Sequence, residues 1–332
     1  MRTARLPTPA DPRVVVAIAT YNGRHLLEVM LPSLAGQVFR DFRVVVVDDA
    51  SSDGTPAWLE REWPEVEVVA LERNGGVTAA FNVCLRAAHP APMVGLFNND
   101  MELDPGCLGS LVEALDQHPG AGSAGAKLVS FHDRRVLDGA GDLFDWGGTG
   151  WRRGHGEIDD GRYEQPCEIF GACGGAALYR AAAIEQVGDF DESFFAFVED
   201  TDWAFRARLA GWGCRYVPGA VAYHMGSATL GQGATEFTQY HLWRNGIWLV
   251  AKDYPPAALL RHAPRLLYVQ AAQLAVAARY GRLAVLRRAV RDALRASRAV
   301  RRRRRAVQAT RVVGLRTLEE AVAAGQPERR SR

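Results

Sequence analysis

The 332-residue sequence lacks several features that would place it in a simpler class. It has only five cysteines, an odd number, and no C-x-x-C pair, which excludes a disulfide scaffold and argues against a structural zinc site. No run reaches the roughly 18 apolar residues that a bilayer-spanning helix needs. The best stretch, Leu266 to Ala278, is too short and carries Gln270 and Gln273. Met1 to Pro12 contains no apolar leader, so a cytoplasmic protein is expected, either soluble or peripheral on the inner face of the cytoplasmic membrane. The strings G-x-x-x-x-G-K-[ST] and G-x-S-x-G are also missing, which removes the two commonest motif-level routes to phosphate-loop and serine-nucleophile chemistry.

What is present is globular: 48% hydrophobic and 23% charged residues, with a net charge of only +2. That small net charge hides a split. Pro255 to Arg332 carries 19 Arg, no Lys and four acids, a net of +15, which leaves −13 on Met1 to Tyr254. Such asymmetry predicts an acidic catalytic body, residues 13–254, and an Arg-rich helical extension, residues 255–332, attracted to a polyanionic surface. Leu283, Leu286, Val290 and Leu294 recur at helical spacing among Arg282, Arg287, Arg288, Arg291, Arg295 and Arg298, and Arg301 to Arg305 follow. An amphipathic Arg-rich helix suits an anionic membrane interface; the alternative is a helix packed on the catalytic body with a solvated basic face. No nucleic-acid reading motif accompanies the charge, so no nucleic acid is expected as a partner.

Within the body, continuous apolar runs (Val14 to Ala19, Phe42 to Val47, Val66 to Leu71, Met93 to Phe97) alternate with helical patterns at His25 to Gln37, Pro56 to Glu62 and Val77 to Ala88. Unbroken apolar strands between helices predict a mostly parallel sheet covered on both faces, in which ligands bind at the carboxyl ends of strands. Three of those ends carry Asp49, Asn74-Gly75 and Asn98-Asn99-Asp100. A helix is expected at Pro105 to Gln117. Gly139 to Gly161 reads as a long irregular segment suited to binding or closure. Gly171 to Ala177 reads as a small-residue turn leading into a helix at Arg180 to Val187. Short strands are expected at Arg215 to Val217 and Val221 to Tyr223, and an aromatic helix at Thr235 to Lys252.

Each candidate has a plainer alternative. Gly120-x-Gly122-x-x-Gly125 matches a dinucleotide string, but an apparent strand (Ala126 to Phe131) follows it where the fingerprint needs a helix, so cofactor binding there is not expected. Asp100 can bind a hard divalent cation or serve as a turn residue before Pro105. Asp48-Asp49 can accept hydrogen bonds from a nucleoside or form an Asx-type loop, with Asp53 assigned to capping. In Glu199-Asp200-x-Asp202 one carboxylate can act as a general base, while Asp202 is read only as an acid at a helix N-terminus. His224 is either a metal ligand or a structural histidine.

Taken in order, Val16 to Asn22, Val46 to Thr55, Asn74-Gly75-Gly76, Asn98-Asn99-Asp100, Gly174 to Ala177, Val187 to Glu192, Glu199 to Asp202 and His224 to Ser227 resemble the family 2 glycosyltransferases, most of all the rhamnosyltransferase-type branch that builds bacterial surface polysaccharides. The resemblance implies an α/β GT-A fold with a nucleotide-binding half (13–100) and an acceptor half (101–254). It also implies inverting, metal-dependent transfer from a nucleotide-sugar donor to a glycan or polyprenyl-linked acceptor. By that likeness Asp49 takes the nucleobase-binding position, with Thr20, Tyr21, Asn22, Asn74, Gly75, Asn98 and Asn99 on the donor side. Asp100 matches the last acid of the family's D-x-D motif and, with His224, would hold Mg²⁺ or Mn²⁺. Asp200 matches the catalytic base, with Glu199, Gly174 and Gly175 on the acceptor side. Asn at 98 and 99 departs from D-x-D and leaves one carboxylate where two or three are usual. A nucleotidyltransferase, or a nucleotide-sugar- or glycan-binding protein without catalysis, are the alternatives carried forward.

Overall fold

The computed structural model describes residues 5–226 and 235–326; Ser227, the last residue of the His224 motif, lies outside them. Strands β1 (Val14–Thr20), β2 (Phe42–Asp48), β3 (Glu67–Ala70) and β4 (Met93–Asn98) alternate with helices α1 (Arg24–Ala35), α2 (Thr55–Glu62) and α3 (Val77–Ala88). β5 (Met101–Leu103), α4 (Cys107–Gln117), β6 (Ala121–Ser130), β7 (Leu137–Gly139), β8 (Asp142–Asp145), β9 (Thr149–Arg152) and β10 (Cys167–Glu168) follow. Then come β11 (Ala176–Arg180), α5 (Ala181–Val187), α6 (Glu199–Leu209) and β12 (Gly213–His224). The C-terminal part is helical: α7 (Glu236–Asp253), α8 (Pro256–Arg261), α9 (Ala263–Arg279), α10 (Leu283–Arg295), α11 (Ser297–Ala309) and α12 (Leu315–Ala323).

The main sheet runs β10-β12-β6-β11-β4-β1-β2-β3. β3, β2, β1 and β4 are mutually parallel, and β12 is parallel to β6, whereas β11 is antiparallel to both its neighbours. The apolar runs of β1 and β2 are explained by burial on both faces. Val14, Val16 and Ile18 point into one core with Leu27, Met30 and Leu31 of α1. Val15 and Ala17 point into another with Phe81, Cys84 and Leu85 of α3. Each large apolar side chain so enclosed contributes about 1.5–3 kcal/mol relative to exposure, which fixes strand identity more firmly than local propensity does.

Three local expectations are corrected. The segment Gly139 to Gly161 is not irregular throughout: β8 and β9 pair as an antiparallel hairpin from Asp142↔Arg152 to Asp145↔Thr149. The turn at Gly171 leads first into β11, a strand that a small-residue sequence conceals, and only then into α5. The two expected strands around Pro218 are one, β12, carrying a register shift between Val217 and Val221 that absorbs the proline. The Gly120-Gly122-Gly125 string lies at the start of β6, where a Cβ at Gly122 would sit 3.0 Å from Ala183 and Trp212 and one at Gly125 3.0 Å from Ala172. Gly122 and Gly125 serve close packing.

The basic C-terminal helices do not stand apart. Val307 of α11 and Leu318 and Val322 of α12 share a core with Phe144, Phe170, Phe205, Leu249 and Tyr254. Within the run Arg301 to Arg305, Arg303 reaches Ser193 (2.8 Å) and Asp191 (3.5 Å), and Arg304 donates to the Ala251 carbonyl (2.9 Å). Part of that charge is therefore turned inward onto the acidic body.

Candidate functional site

β1 leads to β2 on one side while β4 returns on the other, so the sheet order reverses between β1 and β4, where open α/β sheets form a crevice. Thr20, Asp49, Asn98, Asn99 and Asp100 gather at those strand ends. They line a cavity of about 810 Å³ together with Tyr21, Asn74, Gly174, Gly175, Glu199, Asp200 and His224. Asp49, Asp100 and Asp200, separated by about 50 and 100 positions in sequence, thus face one space. Asn22 and Gly75 act from behind the lining. Asn22 Oδ1 accepts from the Ser52 amide at 2.8 Å, and its own amide donates to Ser51 Oγ at 2.8 Å, stitching the first loop to the second.

Asp49 organises the donor-side loop. Its Oδ1 accepts from the Gly75 amide (2.8 Å) and its Oδ2 from the Gly76 amide (3.0 Å). Burial raises its carboxyl more than those two amides lower it. Gly76 holds φ +83, and a Cβ there would meet the Phe195 ring at 2.7 Å, so a glycine is required both by conformation and by space. Asp48 and Asp53 take the plainer roles: Asp48 Oδ2 accepts from the Ser51 amide (2.9 Å), and Asp53 Oδ1 accepts from the Thr55 amide (3.1 Å) and hydroxyl (2.6 Å). Asn99 Nδ2 donates to Thr20 Oγ1 at 2.8 Å, locking β1 to the loop after β4. Gly175 must lack a side chain, since its Cβ would lie 2.4 Å from Asn98.

His224 meets Asp100 because β5 pairs with β12, placing Met101 opposite His224. Its Nε2 lies 3.3 Å from Asp100 Oδ2 and its Nδ1 2.8 Å from Asp138 Oδ2. Burial lowers the imidazole's basicity, but the two carboxylates outweigh it and push the pKa up to about 9. Asp100 Oδ1 is buried without a hydrogen-bond partner. An unsatisfied carboxylate oxygen, an adjacent imidazole nitrogen that can coordinate once a cation displaces its Nε2 proton, and a second carboxylate fixing the other ring nitrogen form a donor set that fits a divalent cation.

Asp200 opens α6. Its Oδ1 accepts from the Thr201 amide at 2.6 Å and its Oδ2 from the Gly174 amide at 3.3 Å. Two other groups crowd it: Asp142, Cys173 and Asp200 each offer an atom within 4.8 Å of the others. Burial and then Asp200 push the Asp142 carboxyl up to about 7, and burial pushes the Cys173 thiol up to about 12. The thiol is therefore protonated at neutral pH, whereas the thiolate is the form that binds metals. Arg152 bridges the cluster, 3.1 Å from Cys173 Sγ and 2.5 Å from Asp138. Burial, then Asp200, raises Glu199 to about 8, so at pH 7 it is a neutral carboxyl beside an aspartate.

The approach to Asp200 is strained. Phe195, Phe197 and Val198 have φ of 65, 65 and 70°, unusual for bulky L-residues and costly unless the surroundings impose them. Asn245 of α7, fully buried, imposes them through the two protons of its Nδ2, one of them shared, which reach the carbonyls of Phe194 (3.1 Å), Ala196 (2.9 Å) and Phe197 (2.7 Å). Asp202 does more than face a helix N-terminus. It is buried between Arg206 (2.9 Å) and Lys252, which also reaches Asp191 at 2.8 Å. Burial opposes ionisation of Asp202, but Lys252 and Arg206 hold its carboxyl below the ordinary range.

Sequence reasoning missed Asp138, Asp142, Arg152, Cys173 and Asn245. Two of these, Asp142 and Arg152, lie in the Gly/Asp/Trp-rich segment singled out for binding, a signal that located the region without resolving residues. Asn245, in an aromatic helix, gave none.

The fold is an α/β GT-A architecture, with three carboxylates converging on one cavity at its strand ends. The profile of glycosyl transferase family 2 matches residues 15–188, more than half of the chain, and the chain belongs to that family. It is 29% identical over 254 residues to the N-acetylglucosaminyl-diphospho-decaprenol L-rhamnosyltransferase of Mycobacterium tuberculosis, covering 68% of this chain and 80% of the relative. Among solved structures it superposes on S. aureus TarS 1-349 in complex with UDP-GlcNAc with a TM-score of 0.60 at 19% identity, over 93% of this chain and 90% of that one. It superposes on the Pyrobaculum calidifontis mannosyltransferase PcManGT in complex with GDP-Man and Mn²⁺ with a TM-score of 0.53 at 22% identity, over 96% and 89%.

Proposed function

We propose that this glycosyltransferase moves rhamnose, with inversion, from a nucleotide-sugar donor to a hydroxyl of a polyprenyl-diphosphate-linked glycan at the cytoplasmic face of the membrane. The observation that carries the reading is the gathering of Asp49, Asp100, Asp200 and His224 around one cavity. The family membership and the M. tuberculosis relative's substrate support the donor and acceptor classes.

In this reading Asp49 and the amides it has ordered receive the nucleoside, while Tyr21 and Asn74 line the same end. Asp100 and His224 would hold Mg²⁺ or Mn²⁺, which supplies positive charge where the leaving diphosphate develops its negative charge. Asp138 fixes His224 so that Nε2 is the nitrogen facing Asp100. Asp200 takes the proton from the acceptor hydroxyl. Gly174 and Thr201 amides orient its carboxylate, and a neutral Glu199 keeps a second charge away from it. The acceptor oxygen attacks the anomeric carbon opposite the diphosphate, one bond forming as the other breaks, so a single displacement inverts configuration.

The test is a nucleotide-sugar panel offered with a polyprenyl-diphosphate N-acetylglucosamine acceptor, read as nucleoside diphosphate release and product mass. Transfer of rhamnose from a nucleoside diphosphate–rhamnose donor of the panel, lost in Asp200→Asn with donor binding retained, is expected. Pyrophosphate release in place of nucleoside diphosphate would identify nucleotidyl transfer, and binding without turnover of any donor would identify a non-catalytic protein. Full activity of Asp200→Asn would remove the base assignment.

A further inference from the structure

No helix among the described residues is long and apolar enough to cross a membrane, yet α9 is apolar on its outside. From Leu266 to Ala278 it carries no charge, and only Ala277 is buried. Leu267, Ala271, Leu274 and Ala278 are all exposed and, at 100° per residue, form one stripe along the axis. Leu267 is 70% and Leu274 53% exposed. A monomer that stays in water does not favour such a stripe.

The stripe continues onto α10. Leu274, Leu286, Val290 and Leu294 line one shallow groove with Arg287, Arg291 and Arg295. Asp292, the acid of α10, accepts from the Tyr240 hydroxyl (3.0 Å) and pairs with Arg291 (3.0 Å) and Arg295 (3.5 Å), which leaves the groove's charge positive on balance. Arg265 and Arg279 stand at the two ends of the uncharged stretch. Apolar side chains at the centre and guanidinium groups around them match a bilayer's acyl boundary and its anionic headgroups. Run Arg301 to Arg305, by contrast, is partly engaged by the body.

The position of α9 gives the surface a purpose. Its Gln270 and Gln273 line the cavity that holds Asp200, roughly a quarter turn around the helix from the exposed stripe. We infer that the outer face of α9 and α10 docks on an anionic lipid bilayer, so that the cavity mouth opens at the membrane surface where a polyprenyl-linked acceptor presents its sugar. The inference rests on the lipid-linked acceptor proposed above, and the two are separable by experiment.

The full chain is floated with vesicles of phosphatidylcholine alone or with phosphatidylglycerol added, without donor. Partitioning roughly tenfold stronger on the anionic vesicles is expected, weakened by salt. Leu274→Asp with Leu294→Asp, and separately Arg287→Glu, should abolish most of it while leaving transfer to a water-soluble acceptor analogue unchanged. Absence of binding to anionic vesicles at low salt, or binding that ignores both variants, overturns the inference. So does a concentration-dependent dimer, seen by sedimentation, that the leucine variants dissolve, because a second copy would then be the occupant. Vesicle binding with no transfer of any sugar would overturn the proposed function alone; transfer to the soluble analogue without vesicle binding would overturn the docking surface alone.

Discussion

His224 stands between two carboxylates, 2.8 Å from Asp138 through Nδ1 and 3.3 Å from Asp100 through Nε2. They come from three segments: the end of β12 supplies the histidine, the turn after β4 one acid, and the middle of the short strand β7 the other. The imidazole is oriented by a partner that does not itself face the donor end of the cavity.

Asp138→Asn should therefore act through His224. The concentration of Mn²⁺ needed for half-maximal transfer should rise about 10–100-fold, the usual effect of removing such a partner, with most of the rate recovered at saturating metal. A metal titration of activity, with Mn²⁺ binding measured by calorimetry, checks this; an unchanged metal requirement would remove Asp138 from that role.

Asn245→Ala removes three hydrogen bonds that hold Phe195, Phe197 and Val198 at positive φ. The Phe194 carbonyl keeps Arg244 as a donor at 2.9 Å, but removing this partner from the carbonyls of Ala196 and Phe197 costs about 1–3 kcal/mol, so the melting temperature should fall. Because the released segment leads directly to Glu199 and Asp200, kcat should fall further than stability alone explains, with donor affinity largely retained. Thermal melts and steady-state kinetics on the same preparation separate the two effects.

Lys252→Met isolates Asp202 and Asp191 from the cation between them. Breaking a buried pair by removing one partner costs about 3–5 kcal/mol. Denaturant unfolding should show that loss, and the double variant Lys252→Met/Asp202→Asn should recover part of it.

Glu199→Gln tests the electrostatics beside Asp200. The native carboxyl is raised to about 8 by burial and Asp200. A carboxyl raised in the folded state favours the protonated native protein, so its stabilising contribution is complete below the unfolded value near 4.5 and is lost as pH rises through about 8. Asp142, raised to about 7, adds to the same decline. Wild-type melting temperature should thus fall between about pH 5 and 8, and the Glu199→Gln variant should fall less. Transfer in the variant should stay near wild type at pH 7 and lose the decline expected above pH 8, when a second charge appears next to the base.

Much of the architecture could be read in advance because double-sided burial leaves a mark in sequence. β1, β2 and β4 carry apolar residues on both faces through most of their length, and their carboxyl ends were recognisable from the polar residues that interrupt the run. β11 escaped because its residues, Ala176 to Arg180, begin in a run of glycine and alanine whose strand character comes from lying between β4 and β6. The β8–β9 hairpin escaped for a related reason: its pairing is antiparallel and short, and its glycines resemble a loop.

The amino-acid sequence alone determined the alternation of strands and helices, the charge division between body and C-terminal helices, and which acids stood at strand ends, since each depends on neighbours a few positions away. Only the tertiary structure decided that Asp138 orients His224, that Asp142 and Cys173 crowd Asp200, that Asn245 clamps the strained approach to it, and that α9 turns two glutamines to the cavity and leucines outward. Those relations depend on packing between segments tens to more than a hundred residues apart, and no local pattern records which distant side chain will fill a given space.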